Sequence, residues 1–277
     1  MIARVLRACA VLWVGLAVAP AARAQSRDIV LATTTSVRDA GLLEALIPPF
    51  ERATGYTVKV IAVGSGQAME LGRRGEADLL LLHDPAGEER FIADGYGIER
   101  RALMHNEFFL VGPDGDPAGA RGTDVVAAFR AIARAHATFV SRGDRSGTNV
   151  KELMVWGRAG IEPAGSWYLE SGQGMGATLV IADQQRAYTL TDVATFLGHK
   201  YPLQLVPIVE GDSLLRNPYH VIVANPERFP DVNLAGAKAL WSYFLSPDVQ
   251  RQIGGFWKAE LGRAIFVPDG TTVDDGR

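Results

Sequence analysis

Residues 77–82, "ADLLLL", admit few environments. Four consecutive leucines give no polar face. A strand of this kind is covered on both sides, as in the parallel sheets of α/β proteins, where helices lie on both faces of the sheet. The neighbouring segments supply such helices. "GLLEALIPPFERATG" spaces Leu42, Leu43, Leu46 and Phe50 at helical intervals and can stop at Gly55, with Pro48 and Pro49 expected to kink or tighten it. "GQAMELGRRGE" and "AGEERFIADG" read as helices, and "DIVLAT", "TVKVIAV" and "EFFLVGP" as strands. The same rhythm continues downstream. "TDVVAAFRAIARAHA", with Thr123 as its expected N-cap, "SGTNVKELMVWGRAG" and "GMGATLVIADQQ" are helical. They alternate with the strand patterns "ATFVS", "SWYLES", "AYTLTD", "LQLVPIVEG" and "YHVIVANP", and two helices close the chain. Repeated β–α alternation of this kind predicts an α/β fold.

The first 24 residues stand outside that pattern. Arg4 and Arg7, an apolar run too short to span a bilayer, and the small-x-small end Ala22-Arg23-Ala24 make a secretory signal peptide. Export to the periplasm is therefore expected. The only cysteine, Cys9, lies in this leader, so the mature chain must rely on its core without disulfides. Removing the three leader arginines moves the formal charge from −3 to −6. Such a surface does not attract nucleic acid, and an anionic ligand must be held by local groups.

Four loops carry those groups, and three of them directly follow strand patterns. "TTTS" is Thr33, Thr34, Thr35 and Ser36. "GSGQ" contains Ser65 and Gly66. "SRGDRSGT" contains Arg142, Asp144, Ser146, Gly147 and Thr148. "GQGMGAT" contains Met175 and Gly176. Helix N-termini leave several N–H groups unpaired and carry partial positive charge. Glycine lets backbone approach a ligand, and Ser and Thr add neutral donors. Capping and turn formation alone would explain any single loop. Arg142 adds a planar donor fork suited to an oxyanion, with Asp144 placed to hold it. Asp84 either caps the helix that starts near Pro85 or points into the cleft.

Other chemistries fit poorly. Met69 stands where a dinucleotide loop needs its third glycine, and "GDRSG" is not a nucleophile elbow. The five histidines lack metal-ligand spacing, and Glu88-Glu89 reads as a solvated helix face.

"SRGDRSGTN" resembles the anion loop of phosphate-binding periplasmic proteins, R-x-D-x-S-G-T. The wider set, "TTTS", "VGSGQA", "LLLLHDPAGEE", "SRGDRSGT", "WYLESGQGMGATL", "AYTLTD" and "NPYHVI" in this order, is similar to the tungstate-binding proteins of tungstate ABC transporters. That resemblance implies a type II two-lobe periplasmic binding protein, each lobe a mostly parallel sheet flanked by helices. Lobe 1 would span 25–107 with 219–277 returning to it, lobe 2 would span 108–218, and the ligand cleft would lie between them. It also implies oxyanion donors from Thr33, Thr34, Thr35, Ser36, Ser65 and Gly66 on one side. Arg142, Ser146, Gly147 and Thr148 face them, with Met175, Gly176 and Tyr188 as further contacts. The expected partners are tungstate or a related oxyanion such as molybdate, and the membrane permease of an ABC importer. A monomer without cofactor or metal is expected. Phosphate or sulfate carriage on the same fold, or a secreted enzyme acting on a phosphorylated or carboxylated substrate, are the alternatives.

Overall fold

The computed structural model describes residues 27–270; the leader expected over residues 1–24 lies outside them. The first half runs β1 (Asp28–Thr34), α1 (Thr35–Asp39), α2 (Leu42–Thr54), β2 (Thr57–Val63), α3 (Ser65–Arg73), β3 (Leu79–Leu82), α4 (Pro85–Ala93) and β4 (Gly97–Pro113). Next come α5 (Val125–Ala135), β5 (Phe139–Ser141), α6 (Gly147–Ala159), β6 (Tyr168–Glu170), α7 (Met175–Gln185), β7 (Thr189–Asp192), α8 (Val193–Leu197) and β8 (Leu205–Val209). A 3-10 turn at Ser213–Leu215 leads to β9 (Arg216–Ala224), α9 (Leu234–Phe244), α10 (Pro247–Gly255), α11 (Lys258–Leu261) and β10 (Val267–Pro268).

The leucine run of β3 sits at the centre of one sheet, ordered β10-β4-β9-β3-β1-β2, and all four of its residues are buried. Leu79 and Leu81 join the apolar cluster on one face, with Phe50 and Leu46 of α2. Leu80 and Leu82 join a second cluster on the other, with Met69 and Phe91 of α3 and α4. This is the two-sided burial that an apolar strand without alternation requires. α2 runs through both Pro48 and Pro49 and ends on Gly55 in the left-handed conformation, φ +74°.

β4 and β9 shape the molecule. β4 pairs with β9 from Gly97 to Glu107, then with β7 from Phe108 and with β8 from Leu110. One long strand thus belongs to two sheet regions, and β9 returns the chain to the first of them at Arg216. Because these strands run oppositely, β4 and β9 pair antiparallel, as β3 and β9 do. Parallel ladders are confined to β1–β2, β1–β3 and β5–β6, so the sheets are mixed and not mostly parallel. The second region has its own core, built on Phe108, Phe129, Phe139, Trp156 and Tyr188. The cap of α5 is Asp124, whose carboxylate accepts from Ala127 N–H at 2.8 Å, and not Thr123, because the helix begins one residue later, at Val125.

Candidate functional site

The loop between β5 and α6 is wound tightly. Gly143 and Arg145 both take positive φ, +62° and +57°, which turns successive backbone N–H groups to one side. Ser146 caps α6 by accepting from Asn149 N–H at 3.3 Å. Beneath the loop lies Glu152, fully enclosed by donors. It accepts from Ser141 Oγ at 2.5 Å, Asn149 Nδ2 at 3.4 Å, Trp156 Nε1 at 3.0 Å and the Tyr168 hydroxyl at 2.7 Å. Burial pushes its pKa up while those hydrogen bonds pull it down. Glu152 moors the loop, and nothing in the sequence singled it out.

Arg142 is 5% exposed. Its Nη2 donates to Asp144 Oδ2 at 2.5 Å, and the other Asp144 oxygen accepts from Ser146 N–H at 3.1 Å. Asp144 is therefore spent on the loop, as the sequence suggested. The Arg142 Nε–H is buried and has no protein partner.

α3 meets this loop end-on. A Cβ built on Gly64 would lie 3.8 Å from Ser146 Cα, and one on Gly66 3.7 Å from the Arg145 carbonyl oxygen. Two helix N-termini from different sheet regions thus face each other, and their positive ends repel unless something negative lies between. Two hydroxyls at this junction, Ser65 Oγ and Thr148 Oγ1, are buried and unpartnered. The first turns of α1, α3 and α7 have no side-chain cap, so their amides are open to another acceptor. Beside the junction a cavity of about 340 Å³ opens along Gln67, Glu70, Arg73 and Arg145.

At α1, Thr34 Oγ1 and Ser36 Oγ lie 3.1 Å apart, and both residues are buried. Thr35 is half-buried in the first turn. Thr33 is used differently from expectation, since its hydroxyl donates to the Leu81 carbonyl at 2.9 Å and bridges β1 to β3. Met175 packs its side chain into the apolar core, leaving only its amide and that of Gly176 at the start of α7. The loop before α7 is tied to the Arg142 loop by Gly172 N–H donating to the Arg142 carbonyl at 2.9 Å.

Tyr188 does not join the group. Its ring fills the core of the second region, and its hydroxyl donates to Asp116 Oδ1 at 2.7 Å and accepts from Ala118 N–H at 3.0 Å. An aromatic entering a buried strand serves the core, and its one polar atom finds a local turn.

A second layer was not anticipated. His83, at the end of β3, presses its ring against Gly147, where an added Cβ would come within 2.5 Å of Cε1. Its Nδ1 lies 2.9 Å from Asn217 Oδ1. Asn217 Nδ2 donates to Asn106 Oδ1 at 2.7 Å and to the Tyr219 hydroxyl at 3.0 Å. With Asn217 oriented in this way its Oδ1 is the acceptor, and His83 donates from Nδ1. Burial holds the His83 pKa down to about 4, so the ring is neutral at physiological pH.

The acids are accounted for. Asp84 caps α4, accepting from Gly87 N–H at 3.1 Å. Asp192 is buried near Arg142, caps α8, and accepts from Thr195 N–H at 2.9 Å and Thr195 Oγ1 at 2.6 Å. Its pKa is raised by burial, with Thr195 and Arg142 opposing. Glu88 is 0% exposed, contrary to a solvated reading, because Arg100 and His220 pair with it at 3.0 and 2.8 Å. Among the described residues no cluster of His, Cys, Asp or Glu is arranged to hold a metal ion.

The PBP superfamily domain matches residues 19–248 of this chain. The tungstate-binding protein TupA of Peptoclostridium acidaminophilum is 46% identical over 245 residues, covering 87% of this chain and 86% of that protein. Among solved structures, the tungstate ABC transporter from Geobacter sulfurreducens is 44% identical with a TM-score of 0.74, over 81% of this chain and 96% of that one. The tungstate-binding protein TupA from Desulfovibrio alaskensis G20 is 39% identical with a TM-score of 0.75, over 87% and 98%.

Proposed function

The chain belongs to the PBP superfamily and, within it, to the tungstate-binding proteins, and from that premise we propose that it captures tungstate in the periplasm and delivers it to the permease of an ABC importer. It is a receptor and not an enzyme. The leader read in residues 1–24 would carry it out of the cytoplasm, and it would act there as a monomer. We take the lobes to be 25–107 with 219–277 returning to it, and 108–218; β4 changing partners after Glu107 and β9 running back from Arg216 support boundaries close to these.

One observation carries the ligand class. Ser65 Oγ, Arg142 Nε and Thr148 Oγ1 are buried donors without protein partners, contributed by both sides of one junction. Proteins seldom bury donors unpaired. An oxyanion between the two facing helix ends would accept from all three and relieve the repulsion of the dipoles. We assign Thr34, Thr35, Ser36, Gly66, Ser146, Gly147 and the Met175–Gly176 amides to the same shell. Thr33 contributes through its backbone alone.

Selectivity follows from the acids. Hydrogen phosphate keeps a proton near neutral pH and gains from a free carboxylate. Asp84, Asp144 and Asp192 are each occupied by internal donors. Tungstate and molybdate are fully deprotonated dianions and need donors only. Calorimetry with tungstate, molybdate, sulfate and phosphate tests this. Tungstate should bind tightest, molybdate strongly and phosphate weakly; displacement of tungstate by equimolar phosphate refutes the assignment.

A further inference from the structure

We propose that Asn106 is an additional oxyanion donor set into the hinge, its amide N–H groups turned to the cleft by Asn217 and His83; this rests on the oxyanion reading above. Asn106 is 2% exposed, and its Nδ2 is buried with no hydrogen-bond partner. It is the fourth such donor in the neighbourhood of Ser65, Arg142 and Thr148.

Its orientation follows from its neighbours in the network. Oδ1 of Asn106 accepts from Asn217 Nδ2 at 2.7 Å. Turning the Asn106 amide over would set its N–H groups against those of Asn217, donor against donor. In this arrangement the Asn217 oxygen faces His83 Nδ1 at 2.9 Å and its second N–H donates to Tyr219 at 3.0 Å, which favours the orientation that leaves Asn106 Oδ1 as the acceptor. The protonated Nδ1 of a neutral His83 thus starts a chain of aligned donors that ends at Asn106 Nδ2. That atom lies beside the Tyr219 hydroxyl, which Ser36 of α1 also reaches.

The position in the fold matches the chemistry. Asn106 and Asn217 are register partners on the two strands that cross between lobes, and β4 changes partner just after Glu107. The pair therefore lies where both strands pass from one sheet region to the other. Ser36 stands on one side through Tyr219, and Gly147 of α6 on the other through the His83 ring. A donor there stays in place whether the lobes swing together or apart, so it can hold an anion before the far lobe closes. Asn217 and His83 are positioning residues that act through Asn106.

The test is tungstate and phosphate calorimetry on the full mature chain. Asn106→Ala should weaken tungstate by roughly tenfold or more, the loss of one hydrogen bond to a charged group. Asn106→Asp replaces a donor by a carboxylate, and should weaken tungstate far more than hydrogen phosphate, whose proton the new acid can accept. A purely structural role would weaken both anions alike. Asn217→Ala frees the Asn106 amide to turn, so it should weaken tungstate in the native chain but have little further effect in Asn106→Ala. Tungstate affinity unchanged within about twofold in Asn106→Ala, or additive losses in the double variant, overturn the inference while leaving the receptor reading intact. A native chain that binds no oxyanion overturns both.

Discussion

Replacing Arg142 by alanine removes the guanidinium of the proposed site and uncovers a carboxylate in the same step. The buried Nε–H has no protein partner, while Nη2 holds Asp144. A hydrogen bond to a charged group contributes about 1.5–3 kcal/mol, so loss of the Nε donor alone predicts tungstate binding about tenfold to 150-fold weaker. Asp144 then adds a second term. Its charge is neutralised locally by Arg142, and without that partner it faces a dianion. Unit charges ~4 Å apart interact by about 4 kcal/mol at an effective dielectric near 20. The Asp144 side chain is 21% exposed, so solvent reduces this repulsion without removing it. The single variant should therefore lose more than one hydrogen bond accounts for. Adding Asp144→Asn should recover part of the loss and return the affinity to the tenfold-to-150-fold range. Arg142→Lys keeps the charge but not the planar fork and should fall between native and alanine. Isothermal calorimetry at fixed ionic strength reads all four proteins. Native affinity in Arg142→Ala would remove the loop from the site, and failure of Asp144→Asn to rescue would refute the electrostatic half of the reasoning.

Gly147→Ala should weaken tungstate binding more than it lowers the melting temperature of the ligand-free protein, because the added Cβ would meet the His83 ring at 2.5 Å only when the lobes are together. Small-angle scattering should show that saturating tungstate compacts the native chain and compacts this variant less; identical profiles with and without ligand argue against lobe closure. His83 has its pKa held down to about 4 by burial, against an ordinary 6.5, so the unfolded chain binds the proton that the folded chain refuses between those values. Stability should fall as pH drops through that window, by on the order of 3 kcal/mol for this group, and His83→Gln should flatten the decline in urea unfolding at pH 7 and 4.5; equal slopes would refute it. Tungstate affinity should be level between about pH 6 and 8, since His83 is already neutral there, and a steep slope in calorimetry would point to an unrecognised titrating contact.

The fold was readable wherever one segment carries its own period. The leucines of β3, the heptad-like spacing of α2 and the Gly55 stop are local facts, and the structure repeats them. The first half of β4 was not readable, because Gly97–Asn106 holds three charged residues and two register shifts, which erase the alternation of an ordinary strand. α1 and α8 are five residues each, too short for any helical period to register. The site divides in the same way. The hydroxyl and glycine loops announce themselves because a helix N-terminus is a local structure. His83, Asn106 and Asn217 are brought together by strand register across more than a hundred residues, and no spacing in the sequence encodes that meeting. Glu88 was misread for the same reason, since its partners Arg100 and His220 arrive from β4 and β9.

The distribution of unpartnered donors ties binding to movement. Ser65 and Asn106 come from one lobe, and Arg142 and Thr148 from the other. Each buried donor without an acceptor costs about 1–3 kcal/mol, so four together disfavour the joined arrangement by roughly 4–12 kcal/mol when no anion accepts from them. Opening the lobes returns these groups to water and removes that cost. An equilibrium moves from 1:99 to 99:1 with about 5.5 kcal/mol of differential affinity. The orphan donors thus contribute a term of the size needed to bias the lobes apart without ligand and together with it. Because the proposed donors come from both lobes, full satisfaction of the anion requires the joined arrangement. A permease that recognises the two lobes at their closed separation would then respond to the loaded receptor and ignore the empty one.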